Sequence, residues 1–239
     1  MSRKEKSETK IFLSNRRYTP ARNDERKVRR VQTIGEEIAN SITHGIGTAL
    51  SIAGLVILVV FASLYGDAWR IVSFSIYGAT LIFLYLSSTL YHSFQIPKVK
   101  KVFRILDHSA IFLLIAGTYT PITLIALKGA WGWTLFGLIW VMAIGGIIFE
   151  IKSVGKHRIF IVLFYLMMGW LVVIAIKPIL EYVEKGLLIW MLIGGAFYTL
   201  GILFYILKKM PFHHMIWHLF VLAGSISHFF GILLYLTKK

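Results

Sequence analysis

The sequence predicts an all-α fold: a polytopic bundle of seven transmembrane helices, with the N-terminus cytoplasmic and the C-terminus outside. Three observations carry this. Of the 239 residues, 57% are hydrophobic and only 15% are charged, a smaller charged share than soluble domains carry. The apolar residues fall into seven runs of roughly 18–23 residues, the length that crosses about 30 Å of hydrocarbon as helix. Lys and Arg are also unevenly divided between alternate connections, as the positive-inside rule requires.

Residues 1–34 hold 11 of the 26 Lys and Arg. They predict a basic, disordered cytoplasmic tail and no cleavable signal peptide. Residues 35–239 then form the transmembrane domain, with spans at about 44–65, 70–92, 107–127, 131–150, 158–176, 186–207 and 214–236. Short connections predict that helices adjacent in sequence are neighbours in space. Pro121, inside the third run, predicts a kink, and Pro178, just beyond the fifth, predicts a stop. The tail and the connections after the second, fourth and sixth runs hold 20 Lys and Arg, against 6 on the other side. That asymmetry sets the orientation.

Composition also excludes functions. The net charge of +15 lies in the tail and between the apolar runs, where it sets topology and touches anionic lipid; no nucleic-acid partner is implied. Without cysteine there is no disulfide, thiolate metal site or Cys nucleophile. A metal would have to be held by His, Asp, Glu or water.

The polar residues inside the runs gather in one layer. His214 and His218 stand four apart at the start of the seventh run, on one helical face. Ser88 and His92 share a face at the end of the second, Asp107 opens the third, and His44 opens the first. All fall on the expected cytoplasmic side. An ionisable residue at membrane depth costs roughly 2.5–3.5 kcal/mol on insertion scales, so such residues turn inward and pair. One shared partner explains His92, His214, His218 and Asp107 better than four separate accidents. Three imidazoles with an open fourth position suit a catalytic zinc (Zn2+). Asp107 would then accept or orient a proton of the water there, and Ser88 would donate to a developing oxyanion or fix a ligand. Glu37, Asn40, Ser41 and His44 share one helical face before the first run. This face either packs as polar backing behind the site or forms a solvated interfacial turn, and the spacing leaves both open. His108 and His213 fall off the shared face, His157 reads as solvated in a basic loop, and His228 reads as a hydrogen-bonded helix–helix contact.

At these residues the chain resembles a known family. Glu37-x-x-Asn40-x-x-x-His44, Ser88-x-x-x-His92, Leu106-Asp107-His108, Gly117-Thr118-Tyr119-Thr120-Pro121 and His214-x-x-x-His218 are similar to the motif set of the hemolysin III family, the bacterial arm of the progestin and adipoQ receptor superfamily. The resemblance runs from about Gly35 to the end. It implies seven helices around a cytoplasmic-side zinc held by His92, His214 and His218, with Asp107 on the zinc water and Ser88 nearby. It also implies a multi-pass protein of the bacterial cytoplasmic (inner) membrane. The superfamily's adiponectin receptors and the related alkaline ceramidases are regarded as zinc-dependent lipid amide hydrolases, so a lipid entering between helices is the expected substrate. Bacterial members were named for haemolysis and are linked to membrane-lipid homeostasis. A pore-forming cytolysin and a non-enzymatic, receptor-like protein with structural zinc are therefore the competing expectations.

Overall fold

A computed structural model describes residues 32–153 and 157–238. The expected tail up to residue 31 lies outside the described residues. Among those described there is no strand, and seven helical segments are long and apolar enough to cross a membrane.

Helix α1 spans Ile34–Tyr65, ten residues longer at its start than the apolar run suggested. A capping box begins it. Thr33 Oγ1 accepts from the Glu36 N–H at 3.2 Å, and Glu36 Oε2 accepts from the Thr33 N–H at 2.8 Å, so the pair satisfies two backbone donors that helix starts leave open. Of the polar face formed by Glu37, Asn40, Ser41 and His44, Asn40 and His44 are buried and Glu37 and Ser41 half-buried, so this segment packs against protein; Glu36 is buried beside it.

Helix α2 spans Ala68–Ser93 behind an Asp67 cap. Its Arg70 is buried at the opposite end of the bundle. It pairs with Asp67 and donates to the Leu236 and Lys238 carbonyls at 2.7 and 3.0 Å. Helix α3 spans Pro97–Pro121, again starting ten residues before the expected run, with Pro97 at a first-turn position that needs no N–H.

At Pro121, where a kink is expected, the helical winding changes. Ile122–Leu127 continues as a π-helical turn, a wider winding that absorbs the missing donor. Thr120 and Thr123 hydroxyls bond the Ala116 and Tyr119 carbonyls at 2.9 Å each. Helix α4 then spans Gly129–Ser153.

The fifth span departs from expectation. Helix α5 (Arg158–Gly169) gives way to a 3-10 turn at Leu171–Ala175, and α6 (Ile176–Tyr182) completes the crossing. The stop expected at Pro178 is not there. Pro178 lies in the first turn of α6, where its absent N–H costs nothing, and the break comes earlier, at Trp170. Tyr119 of α3 braces that break. Its hydroxyl donates to the Gly169 carbonyl at 2.9 Å and accepts from the Val172 N–H at 3.0 Å. Helices α7 (Lys185–Ile206) and α8 (His213–Leu236) complete the bundle.

Helices α1, α2, α3 and α4 pack in sequence, α8 packs on α1 and α7, and the fifth span is only thinly held. The core is apolar, built on Leu58, Phe74, Tyr77 and Tyr85 between α1 and α2 and on Phe112, Ile139 and Met168 around α3, α4 and α5. The outer face is apolar too: Ile159 is 79% and Val141 68% exposed. So much bare hydrocarbon is tolerable only against lipid.

Candidate metal centre

Three of the residues expected in one layer come together. His92 closes α2, while His214 and His218 occupy the first two turns of α8. One ring nitrogen from each lies within 4.8 Å of the other two, with ring centroids 5.1, 5.1 and 4.6 Å apart. His92 and His218 are buried, and His92 Nε2 and both nitrogens of His218 have no hydrogen-bond partner among the described residues. Buried imidazole nitrogens are normally paired. Together with one nitrogen of the half-buried His214, the unpaired nitrogens of His92 and His218 form a donor set that can hold a metal ion. Neutral imidazole nitrogen is an ordinary zinc ligand, and three of them leave a fourth position open, so the donor set suits that metal.

The histidines are braced from behind. Glu37 Oε2 accepts from His92 Nδ1 at 2.7 Å, and its Oε1 accepts from Lys100 Nζ at 2.6 Å. A carboxylate only accepts, so Nδ1 carries the proton and Nε2 keeps its lone pair for the cluster. Asn40 Nδ2 lies 3.4 Å from the same Nδ1 and donates to Gln32 Oε1 at 3.1 Å. His44 stacks on His218, with centroids 3.5 Å apart and planes 13° from parallel. It backs the ligand and is no member of the trio.

Asp107 and Ser88 are buried beside the cluster. Their side chains adjoin, and the buried Ser88 Oγ has no hydrogen-bond partner among the described residues. Below this layer runs a cavity of about 300 Å³, lined at one end by His44, Asp107 and His214 and at depth by Tyr198, His228 and Val183.

The remaining histidines have ordinary partners. His108 Nδ1 bonds Glu150 Oε1 at 2.9 Å, His213 Nδ1 meets the Phe204 carbonyl at 3.0 Å, and His228 Nε2 donates to the Met191 carbonyl at 3.1 Å. His157 is exposed. Sequence reasoning missed two buried carboxylates, Glu36 and Glu150. The Thr33-x-x-Glu36 capping spacing could have signalled the first. For the second, only its place at the end of an apolar run offered a hint.

Membrane-length helices closing over a buried trio of histidines define a polytopic integral membrane protein with a candidate metal centre. Comparison narrows this further. The family described as haemolysin-III related matches residues 32–229, and the chain belongs to that family. It is 52% identical over 211 residues to hemolysin-3 of Bacillus cereus, covering 88% of this chain and 96% of the relative. It is 52% identical over 206 residues to a hemolysin-3 homolog of Bacillus subtilis, covering 86% and 97%. The human monocyte to macrophage differentiation factor is 31% identical over 216 residues, 87% of each chain. The resemblance drawn from the motifs is thus borne out.

Proposed function

We propose that the protein is a zinc-dependent hydrolase of lipid amide or ester bonds, acting at the His92, His214 and His218 layer. The observation that carries this reading is the convergence of unpartnered imidazole nitrogens at the head of a lipid-sized cavity. When bound, zinc supplies Lewis acidity and a water acidic enough to lose a proton near neutrality.

The chain's own residues supply the rest. Glu37 holds the His92 proton on Nδ1 and so fixes the ring's orientation. Asp107 accepts a proton at its carboxylate or orients the attacking water. The unengaged Ser88 hydroxyl donates to the oxygen on which charge develops. The apolar cavity holds an acyl chain and excludes water, with the scissile group at the imidazole layer. Such a lining suits hydrocarbon and not an ion path, which argues against a pore-forming role. The distribution of Lys and Arg supports a cytoplasmic N-terminus and an outward C-terminus. The Bacillus relatives support a bacterial cytoplasmic membrane.

The test is metal content and hydrolysis on the purified chain, using ceramide-like, N-acyl and ester lipids. About one zinc per chain, lost in the His214→Ala, His218→Ala double variant together with hydrolysis, is the expected result. Zinc retained without cleavage of any lipid would favour the receptor-like reading, in which the metal only ties helices together. Dye release from liposomes that survives the double variant would favour the cytolysin.

A further inference from the structure

Glu36 has no part in the chemistry just described, yet its carboxylate is 3% exposed. One oxygen closes the capping box on Thr33. The other accepts the Phe212 backbone N–H at 2.8 Å, 176 residues away in sequence. Phe212 is the residue that starts α8, and it does so at φ 54°, in the left-handed region, with no side-chain cap of its own. An uncapped helix start leaves backbone donors open and carries a partial positive charge. A carboxylate fixed there both stabilises the turn and sets its place. His214 and His218 ride on the two turns that follow.

The neighbouring residues on the same turn reach the other elements of the site. Glu37 bonds His92 of α2 and Lys100 of α3, and Asn40, tied to Gln32, lies against His92. One turn of α1 therefore touches α2, α3 and α8, the three helices that carry the imidazoles and Asp107.

We propose that the first turn of α1 is a clamp that sets the metal affinity of the site, with Glu36 as the positioning residue for His214 and His218. This rests on the metal reading above and not on any hydrolytic activity. Glu36 touches neither ligand; it acts by fixing the turn from which both project. Residues that orient ligands from behind typically change metal affinity by about 10–100-fold when removed.

The experiment uses the purified full chain and Co2+, whose visible absorption reports coordination geometry. Binding is measured by competition with a chelator in the wild type, Glu36→Ala and Glu36→Gln, alongside the melting temperature of each metal-free protein. Glu36→Ala is expected to weaken Co2+ binding by about 10–100-fold and to change the absorption bands. Glu36→Gln keeps one acceptor where the carboxylate has two and loses the charge, so it should bind Co2+ severalfold more weakly than the wild type and more tightly than Glu36→Ala. Wild-type affinity and bands in the folded fraction of Glu36→Ala, whatever its melting temperature, would overturn the clamp. Should Glu36→Ala not fold, Glu36→Gln decides alone: a severalfold loss supports the clamp and wild-type affinity refutes it. A wild type that binds no Co2+ would sink the metal reading and the clamp together, whereas unaltered variants beside a binding wild type sink only the clamp.

Discussion

At His92 the outcome turns on which ring nitrogen holds the proton. Glu37 can only accept, so it fixes the proton on Nδ1 and leaves Nε2 for the cluster. Glu37→Gln can present an amide N–H to that nitrogen and reverse the tautomer. Metal affinity should then fall about 10–100-fold, measured by chelator competition, with the melting temperature of the metal-free protein little changed. Ser88 separates binding from chemistry: Ser88→Ala should keep the metal and lower the hydrolytic rate about 10²-fold, and an unchanged rate would remove Ser88 from the mechanism. Much of this scale was legible in the sequence. The His214/His218 and Ser88/His92 spacings pointed to shared faces, and the lone Asp107 completed the set. Glu36 was hidden because two adjacent carboxylates at a helix start read as ordinary first-turn acids. Nothing in the sequence could show that one of them reaches across to Phe212.

The helices themselves were legible wherever lipid dictated their composition. Their starts were not. Helices α1 and α3 each begin ten residues before their apolar runs: the early turns of α1 bury Glu36, Asn40 and Thr43, and those of α3 carry Lys98, Lys100, Lys101 and Arg104, so neither stretch reads as apolar. The break after Gly169 was invisible for the opposite reason. Trp170 to Ala175 is as apolar as its surroundings, and the nearby proline drew attention to the wrong place. What holds the break is Tyr119, whose hydroxyl both donates to Gly169 and accepts from Val172. Tyr119→Phe removes both bonds and leaves the Gly169 carbonyl and the Val172 N–H without that partner inside an apolar span. A loss of about 1–3 kcal/mol is expected, read as a fall of several degrees in the melting temperature of the detergent-solubilised protein. An unchanged melting temperature would mean that the break needs no brace.

For the molecule as a whole, the charge asymmetry makes a prediction about topology that the fold itself does not address. Lys98, exposed in the first turn of α3, and Lys128, exposed in the connection before α4, should face opposite compartments. The chain has no cysteine, so Lys98→Cys and Lys128→Cys each introduce a single reactive thiol. A membrane-impermeant maleimide on intact cells should label Lys128→Cys, and label Lys98→Cys only after permeabilisation. The reverse pattern would invert the orientation and put the metal layer on the outer face.

The grip of Arg70 on the Leu236 and Lys238 carbonyls bears on how the protein can be handled. Its guanidinium sits in an apolar setting and depends on those two oxygens as well as on Asp67. Protease trimming into the last turn of α8 would strand a charge there and loosen the end of the bundle remote from the histidines. Affinity handles therefore belong beyond Lys239, with cleavage sites that spare the final residues.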